Sequence, residues 1–282
     1  MNMMRFTTMK TKLRKYPSIF LILLLAISSC FLTGCVNQHP KDSKKSSQGE
    51  SVETMLEITD PKEKQAVLNA KAKVKALSGN PRIVATSPAV ADICDKLDLD
   101  LVGVPKSSVS KIPSRYKKVK KVGLAMSPDM EIVSSLNPDW ILAPSSLETD
   151  LKPKFEELKN TEYAFLNLRS VQGMYRSVQE LGEIFGKQQE AEKMTKEFTT
   201  FYKSYTKRNK NKKHPKALVL MGLPGSYVIA TENSYVGSLV KLAGGENVYQ
   251  NTDQEFLTVN TEDMKKKEPD IIVRAAHALP DQ

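Results

Sequence analysis

The chain has 282 residues, with 42 Lys and Arg against 32 Asp and Glu and a formal net charge of +10. Its basic runs, Lys117 to Lys121 and Lys207 to Lys216, contain no interleaved aromatics and accompany no nucleic-acid motif. They read as solvated surface with some attraction to anionic lipid headgroups, which sets nucleic-acid binding aside.

Five bases, Arg5, Lys10, Lys12, Arg14 and Lys15, open the chain without an acidic residue, and Ile19 to Ile27 form a short apolar core. That core is too short for a comfortable membrane span, so residues 1–34 read as a signal peptide. It ends in Leu32-Thr33-Gly34-Cys35, which resembles a lipobox, so Cys35 is the expected lipidation site. Removing the segment takes away half of the net charge. Cys94 is then the one other mature cysteine; no intramolecular disulfide is available, and a buried thiol is expected.

Residues 36 to about 58 are polar and lysine- and serine-rich, the composition of a tether. Asp60 as cap and Pro61 in the first turn predict a short helix before Gly79, with Val67, Leu68, Val74 and Leu77 on a stripe that Lys71 interrupts. From Asn80, apolar strands alternate with helices: Ile83 to Ala85, a helix from Pro88, Leu101 to Val104, a helix around Met130 to Leu136, Trp140 to Leu142 and Tyr163 to Leu168. This alternation predicts a parallel, doubly wound sheet. A helical stripe through Met174, Val178, Leu181 and Phe185 follows. A second stripe through Ala191, Met194, Phe198, Phe201 and Tyr205 marks a helix about 30 Å long. Strands resume at Ala217 to Met221, Tyr227 to Ala230 and Ile271 to Val273. The expected layout is a tether with a short helix over 35–79, a lobe over 80–186, a connecting helix over 187–214 and a second lobe over 215–282.

One unit occurs twice. Glu131 precedes Pro138-Asp139-Trp140-Ile141-Leu142 by seven residues, and Glu262 precedes Pro269-Asp270-Ile271-Ile272-Val273 by the same interval. Repetition on either side of a long helix predicts two similar α/β lobes with a ligand cleft between them. There is no G-x-S-x-G elbow, no H-E-x-x-H and no paired His/Asp spacing, so a lipid-anchored hydrolase is disfavoured.

A lipobox, two α/β lobes, one long helix and a Glu-(six residues)-Pro-Asp unit in each lobe resemble the substrate-binding proteins of ABC importers for siderophores, haem and cobalamin. The resemblance runs from about Arg82 to the end of the chain. It implies that Glu131 and Glu262 dock onto a membrane permease. Four stretches, Val122 to Pro128, His214 to Tyr227, Leu242 to Val248 and Arg274 to Pro280, are similar to the haem-receptor members of the family. That likeness implies haem b as the transported ligand, with Met126 and His277 as the axial iron ligands, one from each lobe. Thioether sulfur and imidazole nitrogen are both accepted by haem iron, and such a pair favours the reduced metal relative to two histidines. Thr86 and Ser87, at a helix N-terminus, are candidates to receive the propionates, and Tyr227 to stack on the porphyrin. The expected protein is a monomer whose partners are haem, permease subunits and surface haem donors. A ferric-siderophore receptor is the near alternative; it would need several cleft arginines, where the cleft loops offer chiefly Arg274. The chain departs from the family by ending soon after His277, which predicts a second lobe short of a strand.

Overall fold

The computed structural model describes residues 5–6, 52–108, 110–223 and 225–276. Cys35, the apolar run from Ile19 to Ile27 and His277 lie outside them. In chain order the elements are β1 (Arg5–Phe6), α1 (Val52–Leu56), α2 (Pro61–Lys75), β2 (Ile83–Ala85), α3 (Pro88–Lys96), β3 (Leu101–Val104), β4 (Lys120–Lys121), β5 (Gly123–Leu124), β6 (Ser127–Pro128), α4 (Met130–Ser135), β7 (Trp140–Pro144), α5 (Glu148–Glu156), β8 (Glu162–Leu166) and α6 (Val171–Phe185). They continue with α7 (Gln188–Asn209), β9 (Lys216–Leu223), β10 (Ser226–Ala230), α8 (Tyr235–Leu242), β11 (Glu246–Asn247), β12 (Phe256–Thr258), α9 (Thr261–Lys266) and β13 (Ile271–Ala276).

The protein is α/β. The first sheet has the order β1-β8-β7-β2-β3-β4, and all its pairings are parallel except the short antiparallel rung of β1 on β8. Successive residues of a strand face opposite sides of the sheet, and here both sides are apolar. Ile83, Ala85, Trp140, Leu142, Ala164 and Leu166 enter one core with α3 and α6. Val84, Ile141, Ala143, Tyr163 and Phe165 enter the other with Leu151 and Phe155 of α5. A sheet covered on both faces has no polar alternation, which is why these strands read as continuous apolar runs. Cys94 is fully buried in the first core, and burial pushes its thiol pKa up to about 12.

The second sheet is mixed. β9 and β10 are antiparallel neighbours, because the short turn between them can only reverse the chain. β12 extends β10 antiparallel, while β11 and β13 run parallel to β9. Its core is smaller, with Leu218, Ile229 and Tyr249 at the centre. Ile271 and Ile272 of β13 are 44% and 60% exposed.

Helix α7 joins the two sheets. Its aromatic residues stack in series, Tyr175 of α6 on Phe198 at 4.5 Å, Phe198 on Tyr202 at 5.7 Å, and Tyr202 near Tyr205 at 6.5 Å. The Tyr205 hydroxyl donates to the Ala243 carbonyl beyond α8 at 2.7 Å. Phe201, expected on the packed stripe, is 60% exposed and lies against Tyr205 instead. Two more links join the halves: the Val171 N–H donates to the Ser238 hydroxyl, and Arg169 pairs with Glu255.

The expected helix at Pro61 forms, with Asp60 accepting from the Lys62 N–H at 2.8 Å. The polar stretch before it ends sooner than its composition predicts. Val52–Leu56 is helical, and Leu56 is 2% exposed.

Candidate functional site

The loops that follow the parallel strands lie at one end of each sheet, where α/β folds carry their ligands. After β4 the chain makes the β5–β6 hairpin. Gly123 sits there at φ 96°, and a side chain at that position would meet the Asp129 backbone nitrogen at 2.9 Å. The hairpin is held at both ends, by Lys106 N–H to the Gly123 carbonyl and Asp129 N–H to the Val122 carbonyl, each 2.7 Å. Met126 stands in its turn and is 73% exposed; Leu124 beside it is 59% exposed. Sequence reading missed Leu124. Its signal is its place in a hairpin turned by a left-handed glycine, which leaves a large apolar side chain without a core to enter.

In the second sheet, Tyr227 of β10 pairs with Gly222 of β9, and Gly222 pairs on its other side with Ala276 of β13. The strand that leads into His277 therefore ends level with Tyr227, which is 52% exposed. Arg274, two residues earlier on β13, is also exposed. His214 stands apart from these strand ends, in the turn after α7, with its Nδ1 hydrogen-bonded with the Gly244 carbonyl at 2.8 Å. Among the described residues, no group of three His, Cys, Asp or Glu side chains could hold a metal ion.

Thr86 and Ser87 are both buried. The Thr86 hydroxyl donates to the Leu142 carbonyl at 3.3 Å, and the Ser87 hydroxyl caps α3 by accepting from the Val90 N–H at 3.2 Å. Both hydroxyls thus work inside the fold.

The duplicated unit has the same construction in both sheets. In the first, Asp129 Oδ1 accepts from the N–H groups of Glu131 and Ile132 at 3.1 Å each. In the second, Asn260 Oδ1 accepts from those of Glu262 and Asp263, again at 3.1 Å each. Each short helix ends in a left-handed residue before proline, Asn137 at φ 45° and Glu268 at φ 46°. Each aspartate then exchanges two hydrogen bonds with a basic residue at the start of a neighbouring strand, Arg82 just before β2 and Lys216 at the head of β9. The Arg82 N–H donates to Asp139 Oδ2 at 2.7 Å, and the Asp139 N–H to the Arg82 carbonyl at 2.9 Å. The Lys216 N–H donates to Asp270 Oδ2 at 2.8 Å, and the Asp270 N–H to the Lys216 carbonyl at 2.9 Å. Glu131 and Glu262 are exposed at the second position of their helices, where the N-terminal dipole favours a carboxylate.

Residues 83–281 match the periplasmic binding protein family. The chain belongs to that family. Among its relatives in the family is the High-affinity heme uptake system protein IsdE of Staphylococcus aureus (strain Newman), 40% identical over 206 residues that make up 73% of this chain and 70% of the relative. An ABC transporter substrate-binding protein from Listeria monocytogenes EGD-e has the same fold, with a TM-score of 0.67 and 46% identity over 72% of this chain and 78% of that one. The crystal structure of S. aureus IsdE complexed with heme superposes with a TM-score of 0.66 and 40% identity, covering 72% and 78% of the two chains. Helices α1 and α2 precede the matched region. No described helix is long and apolar enough to cross a membrane.

Proposed function

We propose that this protein is a haem receptor that passes haem to an ABC permease for iron acquisition, held at the outer face of the cytoplasmic membrane by a lipid on Cys35. The observation that carries the reading is Met126, a thioether held outward on a hairpin braced at both ends, in a stretch similar to that of haem receptors. Haem would sit between the two α/β lobes, with Met126 from the first and His277 from the second on opposite faces of the porphyrin. Two protein ligands leave the iron no open position for dioxygen or peroxide, so the protein carries haem without transforming it. Leu124 and Tyr227 supply apolar surface at the strand ends. The relatives support the ligand class: one bears heme uptake in its name, and another is known as a complex with heme.

A haem titration of the mature chain, followed by visible absorbance, tests this. Saturation at one haem per monomer with a six-coordinate low-spin spectrum is expected. Saturable binding of a ferric siderophore in place of haem would overturn the ligand and move the receptor elsewhere in its family.

The matched settings of Glu131 and Glu262 fit them to dock the receptor on basic groups of the permease. Rim charges act mainly on encounter rate and orientation. The double substitution of both glutamates by alanine is therefore expected to leave haem affinity unchanged while reducing haem import, measured in cells or in vesicles carrying the permease. Unaltered import by the doubly substituted receptor would remove both residues from docking.

A further inference from the structure

Helices α1 and α2 stand before the family-matched region, yet they are packed into the body. Leu56, Val67 and Ala70 are buried, and both helices lie against α6. Three polar links fasten them. Lys71 pairs with Glu183 of α6, Lys73 pairs with Glu162 of β8 at 2.5 Å, and Arg176 Nη2 of α6 donates to the Met55 carbonyl at 2.6 Å.

The fourth link is unlike these. Glu180 of α6 is 1% exposed, and neither of its carboxyl oxygens has a hydrogen-bond partner meeting ordinary geometry among the described residues. Glu63 of α2, 8% exposed, lies beside it. Two carboxylates buried side by side cannot both be charged at acceptable cost, so Glu180, the more deeply buried, holds a proton. Burial, and then the second carboxyl, push the Glu180 pKa up to about 9. Arg176, one turn back on the same helix, pulls the other way. Its Nη2 is already engaged by Met55, however, and its Nε is buried without an acceptor. From α1 the Met55 carbonyl reaches Arg176, while on α2 Lys71 and Lys73 are held by Glu183 and Glu162.

We propose that α1 and α2 are a detachable strap, locked against α6 by the proton that buried Glu180 holds beside Glu63, and that loss of this proton releases the strap and adds its length to the tether. Docked Glu180 binds its proton more tightly than a free carboxyl does. Docking is therefore fully supported below the ordinary carboxylate range, weakens as the pH rises above it, and loses this support as the pH passes about 9. Between those limits the open fraction rises by up to about tenfold per pH unit. The lipid anchor gives the released length a use, but the lock itself does not depend on it.

Hydrogen exchange of the full mature chain tests the lock. Protection of residues 52–75, corrected for the intrinsic pH dependence of exchange, is compared with that of the buried β7 at about pH 6 and about pH 9. Strap protection is expected to fall relative to β7. Glu180→Gln, which keeps the neutral shape at every pH, is expected to hold it constant. Glu63→Gln serves as the second variant and flattens the fall, because an amide there donates to the Glu180 carboxylate. Equal strap protection at both pH values in the wild-type chain overturns the proposal. So does a wild-type fall that persists in both variants.

Discussion

Met126→Ala and His277→Ala are each expected to abolish the six-coordinate low-spin haem spectrum and to weaken haem binding. The loss should be at least the ~10–100-fold that removal of a merely supporting partner costs a metal site. Met126 is 73% exposed, so its truncation takes no packing from the core, and stability should stay within about 0.5 kcal/mol of the parent. The expected product of either change is a five-coordinate haem that accepts an added ligand such as imidazole or carbon monoxide. Parallel titrations and thermal melts of the parent and both variants give the comparison. An unchanged spectrum in Met126→Ala would take the hairpin out of iron ligation and leave the exposed thioether without a role.

Phe155→Ala is expected to destabilise the protein by about 3–5 kcal/mol, the range for emptying a buried aromatic site. Phe155 is fully buried on α5. Its ring stacks on Phe165 of β8 with centroids 5.8 Å apart, and Tyr163 lies 5.9 Å away. Those two residues are fixed to the sheet by parallel pairing with β7, so the surroundings cannot collapse into the space. Chemical denaturation followed through the chain's single tryptophan, Trp140, reads the change. Trp140 belongs to the opposite core, so a shift in its transition would mean that both faces unfold together. A loss below about 1 kcal/mol would mean that α5 is dispensable to that face.

The parts of the fold most legible in the sequence are those in which one physical cause acts over many residues. β2, β7 and β8 were readable because burial on both faces leaves no polar position, and α6 because its stripe is sustained over four turns. The duplicated unit was readable because the same seven-residue interval from glutamate to Pro-Asp, followed by an apolar strand, occurs twice. What escaped depends on few residues or on distant ones. β5 and β6 are two residues each, too short for any period. α5 carries Pro153 in its interior, a residue that argues against a helix, and burial of Leu151 and Phe155 overrides that local cost. Lys71 read as a flaw in the α2 stripe; it pairs with Glu183, more than a hundred positions away. Arg169 and Glu255 are linked in the same manner, and their contact leaves no spacing to find. Of the candidate site, Met126 and Tyr227 stand exposed at the strand ends where the sequence put them. Thr86 and Ser87 occupy the expected helix N-terminus, with hydroxyls directed to Leu142 and Val90.

The two aspartate staples tie Asp139 to Arg82 and Asp270 to Lys216 with the same four-atom pattern, each beneath a capped helix that presents one glutamate. A body built by repeating a unit carries an approximate internal symmetry, even where the loops around the unit have diverged. A partner that recognises both glutamates at once is best served by two like basic sites related in the same way, as in a pair of identical or duplicated subunits. Haem, on the proposed reading, would meet a methionine on one side and a histidine on the other. On that reading the receptor would present two like units to what it docks on and two unlike ligands to what it carries, so the glutamates alone would not distinguish two orientations of the docked complex.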